Sequence, residues 1–170
     1  INNLQYLNYK TETKNGNDIK EAFVKCTAIE THFLWKRYKG NNDELDEKLK
    51  YGDIPKDFIR IMFYTFGDYR DIFFGKDICK DSNIETISQN VEYLLKKKED
   101  NILKTMDEIK RHYWEQYGPD IWKGMLYGLT YHLKDEGGNR IPEDSKYQYN
   151  TLKPDLEKFA KRPQFLRWFT

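Results

Sequence analysis

At 170 residues, 38% hydrophobic and 16% aromatic, the chain is of single-domain size and long enough to bury a real core. Its 29 basic and 28 acidic residues leave a formal charge of +1, so no global field draws it to nucleic acid or to an acidic membrane surface. No apolar run approaches a membrane span, and Cys26 and Cys79 are too few for a small disulfide scaffold and lack any metal-ligand spacing.

Residues 1–16 are polar and Asn-rich, and the pattern leaves their structure open. Asn17 or Asp18 can cap a helix that runs to Gly40, with Ile19, Ala22, Phe23, Cys26, Ile29, Phe33 and Leu34 as its expected buried stripe and Trp35 and Tyr38 flanking it. A charged segment from Asp43 to Tyr51, ended by Gly52, reads as a solvated helix or loop.

The run IPKDFIRIMFYTFGDYRDIFFG, Ile54 to Gly75, reads as one central helix between an N-terminal proline and a C-terminal glycine. Phe58, Met62, Phe66, Tyr69 and Phe73 recur at helical spacing, and Ile59, Phe63 and Ile72 widen the stripe beyond what a surface helix needs. Asp68, Arg70 and Asp71 interrupt this aromatic surface. Charges there are costly to bury unless paired and hydrogen-bonded, so they are expected to bond neighbouring helices and to serve structure, not catalysis.

Turn chemistry in KDICKDSN precedes a fourth helix with Ile84, Ile87, Val91, Leu94 and Leu95 inward. Lys96, Lys97 and Lys98, followed by Glu99 and Asp100, separate it from a second stripe of Ile102, Leu103, Met106, Ile109 and Tyr113, as one long helix or a hairpin. Gly118 and Pro119 are expected to break the pattern and start a new helix, PDIWKGMLYGLTYHL, in which Gly124 and Gly128 let another helix approach closely. The polar stretch from Asp135 to Pro154 reads as a long surface loop with Tyr147 and Tyr149 exposed. A short helix from Asp155 to Ala160 follows, then Pro163, then an apolar segment with Phe165, Leu166, Trp168 and Phe169. With no initiating Met and an abrupt end at Thr170, the chain reads as part of something longer.

Signals of chemistry are lacking. His32, His112 and His132 are far apart without HExxH or a Cys pair, and no GxSxG, P-loop or GxGxxG is present, so no metal, cofactor or enzymatic activity is expected, nor a deep pocket lined by convergent polar groups. For the two cysteines, pairing and free burial are both open, with the reading leaning to a Cys26–Cys79 disulfide.

Four passages, AFVKCTAIETHFLWKRYK, IPKDFIRIMFYTFGDYRDIFFGKDI, GPDIWKGMLYGLTYHL and LEKFAKRPQFLRWFT, resemble in order and spacing a Duffy-binding-like domain, most closely those of the erythrocyte membrane protein 1 adhesins that malaria parasites display on infected red cells. The resemblance implies an all-α bundle. It also implies a single partial domain over 1–170, mainly the second of three subdomains, in the extracellular part of a membrane protein. It implies that GDYRD is a scaffold signature and that the receptor site lies on variable exposed surface. Many such domains carry cysteines where Phe73 and Tyr127 stand here, which leads to the expectation that these two rings pack together in place of a cross-link.

The implied function is host-receptor adhesion. Its partner would be an intercellular adhesion molecule or another endothelial receptor, or a glycosaminoglycan such as chondroitin sulphate. For a protein receptor the expected anchors are Arg140, Tyr147 and Tyr149, because rigid Tyr and Arg supply large contact area at low entropy cost. For a polyanion the expected basic face is Lys96, Lys97, Lys98, Lys104, Lys110 and Arg111. A structural spacer or antibody target without its own receptor is the remaining reading.

Overall fold

The computed structural model describes residues 16–76, 82–98, 104–133 and 145–167, and among these every element is helical. In chain order they are α1 (Gly16–Lys39), α2 (Glu44–Lys50), α3 (Lys56–Phe74), α4 (Ser82–Lys98), α5 (Met106–Thr130), α6 (Tyr149–Ala160) and α7 (Gln164–Arg167). The all-α expectation holds.

The central position of α3 follows from its composition. It touches α1, α4, α5, α6 and α7, and buries Phe58, Met62, Phe66, Tyr69, Ile72, Phe73 and Phe74. Aromatic rings carry the packing: Trp114 lies 5.2 Å from Phe66 and 5.3 Å from Phe73, Phe23 lies 5.6 Å from Phe73, and Trp35 lies 4.9 Å from Phe58. Edge-on and tilted arrangements at these separations add to plain area burial. Gly75 ends the helix at φ +70°, a conformation that costs an L side chain and not glycine.

On α1 the buried face differs from the expected stripe. The row Ile19, Phe23, Thr27, Thr31 and Trp35 is buried, whereas Ile29 and Phe33 are exposed. Two threonines can occupy this row because their hydroxyls bond back along the helix, Thr27 to the Phe23 carbonyl at 2.9 Å and Thr31 to the Thr27 carbonyl at 2.7 Å. The helix is therefore rotated relative to a reading of its apolar letters alone, and Trp35 points to the core instead of flanking it.

α1 pairs most extensively with α5, along the glycine spacing. A Cβ on Gly128 would lie 2.0 Å from the Ala28 carbonyl oxygen, and one on Gly124 would lie 2.8 Å from Val24 Cγ1. Only glycine permits this approach.

α5 also corrects two expectations. A capping box, in which Thr105 and Glu108 bond each other's backbone N–H, starts it as a helix distinct from α4. It then runs unbroken through Gly118 and Pro119. An internal proline costs about 3 kcal/mol, yet Trp114, Tyr117, Ile121 and Trp122 on both sides of it are buried, so continuing the helix keeps both halves on the core. α6 likewise contains Pro154 and begins at Tyr149, well before the expected Asp155.

The expected contact between Phe73 and Tyr127 is not made. Phe73 is fully buried against Phe23, Trp114 and Tyr117, while Tyr127 is half exposed beside Tyr131. Tyr127 is ten residues beyond Tyr117 on the same helix, roughly 15 Å along its axis.

Candidate functional site

The GDYRD motif, residues 67–71, is built into the bundle. Arg167, fully buried on α7, donates from Nη2 to Asp71 Oδ2 at 2.6 Å and to Asp68 Oδ1 at 2.9 Å. Its Nη1 donates to the carbonyls of Ala160 and Arg162 at 3.3 and 2.9 Å. Gly67 leaves room for the guanidinium, since a Cβ there would lie 3.2 Å from Arg167 Cζ. Tyr69 donates to Glu30 at 2.8 Å, and Arg70 reaches the Ala160 carbonyl at 3.4 Å while lying over the Phe74 ring. Burial pushes the Asp71 carboxyl above its ordinary range, opposed by Arg167, and pushes Arg70 below its ordinary value. Every residue of the motif is occupied by internal packing or bonding.

Two of the three expected receptor anchors, Tyr147 and Tyr149, lie elsewhere than the surface. Arg140 falls outside the described residues. Tyr147 and Tyr149 are 7% and 6% exposed, a correction to the reading of both as exposed loop residues. The Tyr147 hydroxyl donates to Asp53 Oδ1 at 2.9 Å and accepts from the Ile54 N–H at 3.2 Å, and its carbonyl accepts from Trp122 Nε1 at 2.8 Å. Tyr149 packs against Phe66, under the hydroxyl-sized space left by Gly118. Sequence polarity placed these rings outside because it carried no sign of the acceptors that await their hydroxyls.

The expected basic face loses one member. Lys110 is 2% exposed, bonded to Glu92 at 2.7 Å and to the Phe74 carbonyl at 3.3 Å. Lys96, Lys97, Lys98, Lys104 and Arg111 are exposed around the end of α4 and the start of α5. Cys26 is a buried free thiol whose pKa burial raises to about 11, and the expected partner in a Cys26–Cys79 disulfide, Cys79, lies outside the described residues.

The exposed surface has a different focus. Along the seam of α1 and α5, Phe33 is 62% exposed, Tyr131 52%, Tyr127 50% and Ile29 43%. His32 ties the ridge together, 5.7 Å from the Phe33 ring and 6.0 Å from the Tyr131 ring, and Tyr131 lies 5.7 Å from Tyr127. A groove continues from it past Val24, Ala28, Gly124 and Tyr127, edged by the Lys20–Asp120 ion pair at 3.0 Å and the Lys25–Glu21 pair at 3.4 Å. An apolar, aromatic centre inside a charged rim is the anatomy of a protein-binding surface.

Behind the ridge, Asp46 gathers Trp35 Nε1 at 2.9 Å, His132 Nε2 at 2.8 Å and Lys39 Nζ at 2.5 Å. Burial works against the ionised Asp46, but these partners hold its carboxyl below the ordinary value. Burial likewise lowers His32, helped by Lys36, against its hydrogen bond at 3.3 Å with the Gly128 carbonyl.

The ridge is hidden in the sequence because Ile29 and Phe33 fit the period of the core stripe and Tyr127 stands where the resemblance implies an internal contact. The available signal was Gly124 and Gly128: a close glycine-mediated seam pushes large neighbours to its edges. Among the described residues no cluster of His, Cys, Asp or Glu is placed to hold a metal ion, and no helix is long and apolar enough to cross a membrane. The Duffy binding domain family matches the chain over residues 1–167. No curated protein and no solved structure matches it.

Proposed function

The chain belongs to the Duffy binding domain family, extracellular adhesion modules that bind host receptors or glycans and are not enzymes, and from this we propose that it binds a protein receptor on host cells through the α1–α5 ridge. In this reading it is part of an erythrocyte membrane protein 1 adhesin. It mediates cytoadhesion of infected red cells to an endothelial receptor such as an intercellular adhesion molecule.

The observation that carries the reading is the contiguous exposure of Ile29, Phe33, Tyr127 and Tyr131. Four large, mostly apolar side chains, three of them aromatic and linked through the His32 ring and the Tyr127–Tyr131 contact, are costly to leave in water, and a receptor surface that covers them recovers that cost. The glycosaminoglycan alternative is weakened by the internal engagement of Lys110 and by a formal charge of +1.

Surface plasmon resonance of the chain against immobilised endothelial receptors tests it. Binding that is insensitive to salt and falls by about tenfold or more in Phe33→Ala and Tyr127→Ala supports the reading. Binding that these variants leave unchanged, or no binding to any receptor, refutes it. In the latter case the ridge would be a contact with other parts of a longer adhesin and the domain a spacer.

A further inference from the structure

One half-buried polar ring, His32, sits within the apolar ridge. It meets Phe33 at 5.7 Å and Tyr131 at 6.0 Å, both edge-on, and His132 at 6.0 Å. Phe33 is 62% exposed and Tyr131 52%, so a surface that covers these two rings also closes over the imidazole that touches both.

The backbone of α5 fixes which nitrogen of that imidazole carries the proton. His32 Nδ1 lies 3.3 Å from the Gly128 carbonyl oxygen, and because a carbonyl only accepts, Nδ1 is the N–H that donates to it. In the neutral ring Nε2 is then the bare nitrogen, an acceptor. Among the described residues nothing bonds Nε2, and unlike His132 Nδ1 it is not sealed from solvent. The glycine seam sets this geometry. Ala28 stands one turn before His32 on α1, and a Cβ on Gly128 would lie 2.0 Å from the Ala28 carbonyl, so only glycine lets His32 reach the α5 backbone.

The charges around the ring are mostly positive. Lys36, the next turn along α1, lies 6.0 Å from the Phe33 ring centroid, and His132 stands beside His32 at the end of α5. Asp46 of α2 is the nearby carboxylate, and it is engaged by His132, Lys39 and Trp35. A receptor ammonium or guanidinium is disfavoured in such surroundings, whereas a neutral donor is not.

We infer that His32 is the specificity-determining polar contact of the ridge, its Nε2 accepting a hydrogen bond from a hydroxyl or amide N–H of the receptor. The inference rests on the ridge being the receptor surface and names the polar group that selects its partner. A receptor that covers the ridge without supplying that donor buries an unmet acceptor. Protonation has the same result by another route: Nε2 becomes a donor facing the receptor's donor, and a cation is enclosed beside Lys36 and His132. Burial, helped by Lys36, already holds His32 below its ordinary 6.5, so adhesion is full at neutral pH and weakens about tenfold for each unit of pH below the folded pKa.

Surface plasmon resonance of the chain on immobilised intercellular adhesion molecule and other endothelial receptors, repeated from about pH 7.5 to 5, tests this, with melting temperature followed at each pH. Wild-type affinity is expected to fall by about threefold or more at the acid end. His32→Leu fills the space without an acceptor and is expected to lose about tenfold at neutral pH. In His32→Gln the amide oxygen replaces the acceptor, so most of that loss is recovered and the dependence on pH disappears. Nitrogen NMR of the free chain is expected to show His32 protonated at Nδ1 and bare at Nε2. Wild-type affinity flat with pH, His32→Leu binding as tightly as wild type, a pH profile kept in His32→Gln, or the opposite tautomer overturns the inference. Binding that Phe33→Ala abolishes and His32 variants leave unchanged sinks this inference alone; no binding to any receptor sinks the receptor reading with it.

Discussion

Arg167 and Asp71 are 96 residues apart in sequence and 2.6 Å apart in space, so the last described helical turn is bonded to the last turn of the central helix. The pair is buried on both sides, and Asp68, partly open to solvent, shares the same guanidinium.

Asp71→Ala leaves Arg167 charged and buried, and is expected to destabilise the domain by about 3–5 kcal/mol, read from chemical denaturation. Asp68→Ala should cost less, because its carboxylate is more exposed and Asp71 remains. Replacing both members, Asp71→Leu with Arg167→Met, removes the buried charges together and should recover stability relative to Asp71→Ala. Receptor affinity at temperatures where each variant is folded should not change; intact melting with lost binding would assign the motif to the ligand instead.

Gly128→Ala drives a methyl group into the Ala28 carbonyl, which is backbone and cannot swing away. The expected cost is about 1–3 kcal/mol or more, seen as a lowered melting temperature. Gly124→Ala meets first the Val24 side chain, which has some freedom, so its loss should be smaller.

Tyr147→Phe separates an internal clamp from a receptor anchor. Removing the hydroxyl strands the Ile54 N–H and one Asp53 contact, for an expected loss of about 1–3 kcal/mol. Receptor affinity should be unaffected. A drop in affinity with unchanged melting would restore Tyr147 as a contact residue.

Acid should weaken the fold in two steps. Burial holds His32 below its ordinary 6.5, so the unfolded chain takes up that proton first; the stability from neutral His32 is full above 6.5 and is lost as pH falls through that value toward its folded pKa. Asp46 is held below its ordinary 3.8, so its contribution is full above 3.8 and is lost as pH falls further. Melting temperature measured across this range should decline in both windows. His32→Gln should flatten the upper step and Asp46→Asn the lower one.

Much of the helical layout was legible in the chain. The stripe of α3 marks a helix buried on several sides, Gly40 and Gly75 stop helices where glycine at positive φ is cheapest, and the Gly124–Gly128 spacing forecasts the close seam with α1. These are local signals, each contained within a few turns. The errors were also local in origin. Thr27 and Thr31 look polar as letters and are core residues once their hydroxyls bond the preceding turn. Pro119 looks like a break and is carried inside α5 by the buried rings around it.

Sequence by itself determined that this chain is a helical bundle and that the charges in GDYRD need internal partners, because periodicity and the cost of burying charge are properties of short segments; the likeness to Duffy binding domains rested on its four motif passages. Only the tertiary structure decided which partners those are, that Tyr147 and Lys110 turn inward, and that Phe33 and Tyr127 turn outward. Whether a given ring or cation meets water depends on acceptors and surfaces brought from distant parts of the chain, and no local pattern carries that information.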